Sequence, residues 1–300
     1  MVAGLVVIFR VGARAVRVGQ RLLPLTLTLA SCPAPAAPPM PVAAPELVIP
    51  RLDRDAGPPA TPSEGARFGH PPAVAGSTWT VETRASSRSP DPGGASEQVS
   101  RYESTYRVEV LAVAGPAPSR VKLGVTRNVQ IYQGQPTPTV IDGKEYVVDA
   151  RAPHVRDLAD APVSPAESER VLDLFSDLGT RSRVDQVLPD EALPIGARRD
   201  DLAGAILRLV HPRAWTLRSG TCTLARVDGG NAVFTTTLEA ASDSGLRLEV
   251  HGEARVRLED ARLVELTLTG RYTSSSPADP PGTFELRRAV TSESGARSGR

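Results

Sequence analysis

The stretches that decide the fold class are Leu246–Leu258, LRLEVHGEARVRL, and Leu263–Tyr272, LVELTLTGRY. The first alternates apolar with charged residues, and the second alternates leucine with threonine. Alternation with a period of two predicts β-strands that bury one face and expose the other. The residues expected on the apolar faces are Leu246, Leu248 and Val250 in the first stretch and Leu266 and Leu268 in the second.

The same pattern continues on both sides of these stretches. Trp215–Ala225 and Ala232–Ala240 are predicted strands upstream, and a strand around Thr283–Val290 is predicted downstream. The connections are short; two of them are Asp228–Asn231 and Ser242–Gly245. Because short connections join antiparallel neighbours, the sequence predicts an antiparallel meander here.

A second strand-rich section lies nearer the N-terminus. Strands are predicted at Thr78–Glu82, Arg101–Val113 and Val121–Tyr132, with a loop over Ser86–Glu97. Asp142-Gly143 lies between two apolar runs, a pattern typical of a tight β-hairpin. The runs that this hairpin would join are Thr139–Ile141 and Tyr146–Val148.

Helices are predicted between the two sections. Ser164 and Glu167 form a capping box with Pro165 at the first helical position, and Gly179 is placed to end the helix. A shorter helix is predicted over Asp201–Val210. The first helix carries an apolar stripe, which is expected to pack on a sheet rather than to contact a ligand. Its members are Val171, Leu174, Phe175 and Leu178.

These elements predict an α+β fold, mainly antiparallel β, with curved sheets or an incomplete barrel. The β-rich domain is placed at residues 73–291, with strand-rich sections at 76–150 and 213–290, a helical insert at 164–211 and a loose tail at 292–300. Aromatic residues are few, at 4%. The core is therefore expected to consist mainly of Val, Leu, Ile and Ala, with Trp79 and Trp215 as its largest members.

The N-terminus carries a different kind of signal. Arg21 precedes the short apolar run Leu22–Ala30, and Leu29-Ala30-Ser31-Cys32 resembles the lipobox of bacterial lipoproteins. The resemblance implies that residues 1–31 are a removed signal peptide and that Cys32 is the lipidated first residue of the mature chain. It also implies the outer membrane as the destination, because Pro33 rather than aspartate follows Cys32.

Two alternatives to lipidation remain open at this point. Residues 1–31 could be a disordered or amphipathic leader that precedes an ordinary thiol. Alternatively, Cys32 could form a disulfide with Cys222, since the chain has 2 cysteines.

Residues 32–72 are predicted to be a disordered, proline-rich tether. Half of the chain's 28 prolines lie between Pro33 and Pro92, and proline removes a backbone donor and fixes φ. Removal of residues 1–31, which carry four arginines and no acid, changes the net charge from +1 to about −3. Such a balance excludes the clustered basic surface of a nucleic-acid-binding protein.

Candidate chemistry is sparse. His154, Asp157 and Asp160 form the one local group with a metal-like composition, but a solvated loop is the simpler interpretation. His211 near a helix end, His251 in a strand and Cys222 in a strand are more simply structural than catalytic. The sequence predicts no catalytic residue, no metal site and no cofactor, and it identifies no ligand-binding residues.

The arrangement of signal peptide, tether and β-rich body resembles uncharacterised lipoproteins of bacterial envelopes. The resemblance implies a location at the membrane, held by acyl chains on Cys32, and no activity. Together with the antiparallel strands and the lack of catalytic motifs, it favours a non-enzymatic binding or structural role. One alternative is a lipid or lipoprotein carrier with an apolar cavity in a half-barrel. A structural or assembly component and an envelope hydrolase without a recognisable motif are further alternatives.

Overall fold

The computed structural model describes residues 65–91, 96–151, 154–175, 177–210, 215–276 and 280–293. The predicted signal peptide, the lipobox with Cys32 and the tether up to residue 64 lie outside these residues. Within them, strands predominate over helices, which confirms the prediction of a mainly antiparallel β fold.

The described residues contain twelve strands and three helices. The N-terminal section holds β1 (Thr78–Pro90), β2 (Glu97–Ala114), β3 (Ala117–Tyr132), β4 (Gln135–Pro138), β5 (Glu145–Asp149) and β6 (His154–Asp157). The middle of the chain holds α1 (Pro165–Leu174), α2 (Arg183–Val187), β7 (Arg198–Arg199) and α3 (Asp200–Val210). The C-terminal section holds β8 (Trp215–Asp228), β9 (Asn231–Ser242), β10 (Leu246–Arg257), β11 (Leu263–Ser274) and β12 (Gly282–Glu293).

All twelve strands belong to one sheet, in the order β6-β5-β3-β2-β1-β12-β11-β10-β9-β8-β7, with β4 paired to β3 off this path. The first and last long strands, β1 and β12, are antiparallel neighbours and join the two sections. The sheet does not close, because β6 and β7 are its two end strands and do not pair with each other in the described part of the chain. This topology confirms the predicted curved sheet or incomplete barrel.

One face of the sheet is buried and the other is exposed, as the alternation predicts. On β10 the even-numbered Leu248 and Val250 are buried, whereas Glu249 between them is exposed. The helices cover the buried face in two places: α1 contacts β6, and α3 packs on β8 and β9. None of the helices in the described part of the chain has the length and apolar character needed to cross a bilayer.

The buried side chains form two clusters. The larger lies under α3 and includes Phe234, Leu224 and Ile206, which are fully buried. The smaller lies under α1 and includes Tyr106 and Val171. The interior of the half-barrel is therefore divided into two cores rather than filled by one.

The predicted capping box is confirmed at the start of α1. The Ser164 side chain accepts from the Glu167 backbone N–H, and the Glu167 carboxylate accepts from the Ser164 backbone N–H. The helix ends at Leu174, earlier than predicted, with Phe175 as its C-cap. Gly179 lies beyond the end of the helix with a φ of +84°.

The predicted Asp142-Gly143 hairpin is wrong. Thr139–Ile141 does not form a strand, and Tyr146 and its neighbours in β5 pair with β3 and β6 instead. Ile141 is fully buried in a compact turn in which the Asp142 N–H donates to the Thr139 carbonyl. The tight hairpin of this region is at Gln133-Gly134, where both residues have positive φ, as a type I′ turn requires.

Three predicted boundaries also change. The first strand continues to Pro90, into the predicted loop, because β2 pairs with it along its whole length. The last strand continues to Glu293, into the predicted tail. The end of the predicted tether is packed against the sheet, since Ala66 and Phe68 are buried and the Phe68 ring stacks on Phe234 at 6.4 Å.

Two glycines mark a close approach of the β10 and β11 backbones in the C-terminal section. A Cβ on Gly252 would lie 1.8 Å from the Thr267 carbonyl oxygen, and one on Gly270 would lie 2.0 Å from that of Glu249. Backbones this close leave room for glycine alone, a device that curves a sheet.

Candidate ligand cavity

A cavity of about 410 Å³ lies on the buried face of the sheet, between the strands and the helices. It is situated where the two cores meet. Residues of both cores line the cavity. Trp79 and Val81 on β1 belong to the smaller core, and Val184 and Leu263 belong to the larger core. Because α1 and α3 cover different parts of the sheet, the space over β1 and β12 is not filled by a helix.

Trp79 forms the aromatic part of the wall. Its ring centroid lies 6.3 Å from that of Phe175, the C-cap of α1. The Arg262 guanidinium carbon lies 4.5 Å from the Trp79 ring centroid, a distance typical of a cation–π contact. Burial lowers the pKa of Arg262, and the nearby Asp260 carboxylate opposes that shift. The wall around Trp79 is therefore aromatic, with one cation stacked on it, whereas charged residues such as Asp173 and Glu259 line other parts of the cavity.

Arg288 of β12 lines the same cavity. Its Nη2 donates a hydrogen bond of 3.1 Å to Tyr106 Oη, and Tyr106 Oη donates one of 3.1 Å to the Leu174 carbonyl at the end of α1. Tyr106 is 1% exposed. A buried tyrosine thus links the guanidinium to the last turn of the helix.

The segment before β1 forms another wall. Pro71–Val74 lines the cavity, and this segment is held by His70, whose Nδ1 contacts the Asp185 carboxylate on α2. A β-bridge between Ala66 and Leu193 holds its beginning. Part of the predicted tether is therefore part of the cavity.

Tyr102, Ser104, Asn128 and Thr139 form a buried polar network in the N-terminal section. Asn128 Nδ2 donates to Tyr102 Oη at 2.8 Å and to Ser104 Oγ at 3.1 Å, and Thr139 Oγ1 donates to Asn128 Oδ1 at 2.8 Å. Burial raises the pKa of Tyr102, which keeps its hydroxyl protonated. Because its members satisfy one another, the network is a structural feature.

The lipidation residue Cys32 and the lipobox residues Leu29, Ala30 and Ser31 lie outside the described residues. The other cysteine, Cys222, is described and fully buried, as the sequence indicates for a strand thiol. Burial raises the pKa of the Cys222 thiol to about 12, and its Sγ lies 3.4 Å from Thr236 Oγ1. A thiol in this state is a poor nucleophile.

The group of His154, Asp157 and Asp160 does not form a metal site. Asp157 accepts hydrogen bonds from the backbone of its own turn, and Asp160 pairs with Arg156 at 2.9 Å. No group of three or more metal-ligating side chains occurs among the described residues. His251 is exposed on β10, and His211 lies outside the described residues.

A larger groove, of about 950 Å³, lies near the β8 edge of the sheet. Its charged residues neutralise one another; for example, Arg271 and Glu249 form an exposed ion pair of 2.7 Å. This groove lacks an aromatic side chain, whereas the smaller cavity has Trp79 and Phe175. The smaller cavity is therefore the better candidate for a ligand site, because aromatic side chains are typical of the lining of binding sites.

Arg288 was not predicted to be a site residue, although its position in the sequence pattern was a usable signal. Phe284, Leu286 and Val290 alternate on one face of the predicted last strand, and Arg288 has the same parity. A single arginine on an otherwise apolar strand face is unusual, because such a charge is rarely buried without a partner.

No family model matches this chain, and no curated protein matches it either. Two solved structures show a weak similarity to it. DynF, from the dynemicin biosynthesis pathway of Micromonospora chersina, is 10% identical to this chain and has a TM-score of 0.22. The alignment covers 79% of this chain and 92% of the DynF chain. A DUF1329 family protein from Desulfovibrio piger is 13% identical, covers 74% and 88% respectively, and has a TM-score of 0.14. TM-scores this low do not support a shared function.

Proposed function

We propose that this chain is a non-enzymatic binding protein whose half-barrel carries one lipid-like molecule in the cavity beside Trp79. The observation that carries the proposal is the cavity itself. Its volume of about 410 Å³ lies within the range of about 300–1,000 Å³ typical of small-molecule sites. Of the functions that the sequence left open, the lipid or lipoprotein carrier is the one that requires such a cavity.

The wall chemistry supports an apolar ligand. Trp79, Phe175 and Val290 present large apolar surfaces to a space that the protein's own side chains leave empty. Side chains that border an empty space lose dispersion contacts, and an apolar chain that fills the space restores them.

We also propose a location for the protein, in addition to a ligand. Acyl chains on Cys32 would hold the protein at the outer membrane, facing the periplasm or the surface, and the proline-rich segment after Cys32 would hold the half-barrel away from the lipid surface. The lipobox resemblance of Leu29-Ala30-Ser31-Cys32 supports this part of the proposal.

The cargo is tested on the full chain with Cys32→Ser, purified without detergent from a bacterial host. Organic extraction followed by mass spectrometry is expected to recover about one lipid molecule per protein. A variant with Val290→Phe, which fills the cavity, is expected to lose this lipid. Preparations free of lipid that also fail to bind the apolar dye N-phenylnaphthylamine would contradict the carrier function.

The anchor is tested separately by mass spectrometry of the wild-type chain from the membrane fraction. The expected N-terminal peptide begins at Cys32 and carries diacylglycerol. An unmodified Cys32 would remove the membrane anchor from the proposal and leave the cavity argument intact.

A further inference from the structure

We infer that the ligand is a single-chain amphiphile with an anionic head group, a carboxylate or a phosphate, and that this head group binds the Arg288 guanidinium. The inference rests on the proposed function, because it names the ligand class for the same cavity. It is carried by the position of Arg288, its hydrogen-bond partner and the charges around it.

Arg288 lies on the buried face of β12, and its neighbour Arg287 lies on the opposite face. Arg287 is 70% exposed and pairs with Glu265 at 3.2 Å, as a surface arginine ordinarily does. Arg288 follows Phe284 and Leu286 on the buried face, both of which belong to the core. Arg288 itself is half-buried, and desolvation of a guanidinium is costly unless a partner compensates for it.

The other arginines of the cavity wall already have acidic partners. Arg257 and Arg262 lie 3.6 and 3.7 Å from Asp260, and Arg181 lies 3.9 Å from Asp185. Arg288 forms no ion pair with any of the described residues. Among the arginines of the cavity wall, it therefore differs from the other three, each of which has an acidic partner in the described part of the chain.

The guanidinium is held in place from one side. Arginine carries five N–H donors, and Arg288 uses Nη2 toward Tyr106. Tyr106 is fixed in turn because it donates to the Leu174 carbonyl. The remaining donors match the two oxygens of a carboxylate or phosphate, which bind arginine as a bidentate pair.

Apolar residues next to Arg288 provide a path for the acyl chain. Along β12 the buried face continues from Arg288 to Val290, which is paired with Val81 of β1. The next pair on this face is Ser292 with Trp79. A ligand with its head group at Arg288 would therefore place its chain against Val290 and Val81 and then against Trp79 and Phe175.

The lining of the cavity as a whole has a negative excess, because six acidic residues and four arginines line it. The anion is consequently recognised by direct contact with Arg288 and not by a general positive field. This predicts that loss of Arg288 weakens anionic ligands selectively.

The test uses the full chain with Cys32→Ser and the neutral dye N-phenylnaphthylamine as the reporter. Palmitate, hexadecyl phosphate and hexadecanol, which have chains of equal length, compete with the dye. Wild type is expected to bind the two anions at least about tenfold more tightly than hexadecanol, since a hydrogen bond to a charged group contributes about 1.5–3 kcal/mol. Comparison of palmitate with hexadecyl phosphate shows which head group is preferred.

The variants separate the head-group site from the cavity. Arg288→Gln is expected to lose about tenfold or more in affinity for the anions and to bind hexadecanol and the dye within about twofold of wild type. The matched control Arg287→Gln, one residue away on the exposed face, should leave all affinities unchanged. Tyr106→Phe, which frees Arg288 from its anchor, should weaken the anions by a smaller factor.

Equal binding of palmitate and hexadecanol to wild type would overturn the inference without the use of any variant, and the carrier function would stand. An equal loss of all three ligands in Arg288→Gln would also overturn it. Failure of wild type to bind any of the ligands or the dye would instead overturn the proposed function.

Discussion

The two sections of the sheet cover their buried faces in different ways. In the C-terminal section, β8–β12 are joined by consecutive hairpins, and α3 fills their concave side with fully buried residues such as Ile206 and Leu224. In the N-terminal section, α1 is shorter, a polar network around Asn128 replaces part of the core, and a cavity remains beside Trp79. The densely packed section therefore contributes most of the buried core, whereas a cavity remains at the seam between the two sections.

The largest expected effect comes from a truncation in the packed section. Phe234→Ala should lower the free energy of unfolding by about 3–5 kcal/mol, because Phe234 is fully buried and stacked on Phe68. Phe175→Ala, beside the cavity, should cost about 1–2 kcal/mol, since this side chain is only partly buried. Urea denaturation measures both. Equal losses in the free energy of unfolding would show that the region around Phe175 is packed as densely as the region around Phe234.

The next effect concerns the close approach of β10 and β11 in the C-terminal section. Gly252→Ala should lower the free energy of unfolding by about 3 kcal/mol, because the new Cβ would collide with the Thr267 carbonyl. Gly204→Ala in α3 is the matched control. Its Cβ would meet Leu217 at 3.7 Å, an ordinary contact, and alanine is the better helix former by about 0.5–1 kcal/mol. Neutral behaviour of Gly252→Ala would show that the sheet does not need its close approach there.

Local patterns predicted the packed section well. Alternation at Leu246, Leu248 and Val250 identified strand and buried face together, and the Ser164–Glu167 capping box located the start of α1. These features depend on neighbours in the sequence. The Asp142-Gly143 hairpin failed because Ile141 is drawn into the core and β3 supplies the partner for β5.

The candidate site could not be assembled from the sequence. It depends on the pairing of β1 with β12, in which Trp79 meets Ser292 across more than two hundred residues. No local pattern specifies a pairing over that separation. The alternating pattern of β12 places Arg288 on the same face as Leu286 and Val290, so this position could be predicted from the sequence. The presence of Tyr106 and Phe175 in the same cavity could not.

A smaller effect is expected from the polar network of the N-terminal section. Asn128→Ala should lower the free energy of unfolding by about 1–3 kcal/mol, because the Tyr102 and Ser104 hydroxyls would lose a buried partner. Asn231→Ala, at the turn before β9, removes an exposed hydrogen bond to Gly229 and should change stability by no more than about 0.5 kcal/mol. If the two variants proved alike in thermal unfolding, the network would not be part of the core.

The smallest effect is the acid sensitivity of α1. Hydrogen bonds from Lys144 and Ser164 lower the pKa of Glu167 from 4.5 to about 2. Because the folded-state value is the lower one, this carboxylate stabilises the fold above about pH 4.5, and its contribution is lost as the pH falls toward 2. Glu167→Gln should therefore destabilise the protein at neutral pH and flatten the acid side of the stability curve between these values. An unchanged acid side would mean that the capping box contributes nothing to acid stability.

The central claim, that the seam between the two sections holds one apolar molecule, is tested most directly by titration with N-phenylnaphthylamine. The full chain with Cys32→Ser is compared with the same chain carrying either Val290→Phe, inside the cavity, or Thr291→Phe, on the exposed face of the same strand. We expect one dye molecule per protein for the parent and for Thr291→Phe, and at least about tenfold weaker binding for Val290→Phe, in which the new side chain occupies the space. Binding that Val290→Phe leaves unchanged, or no binding to the parent, would contradict the account.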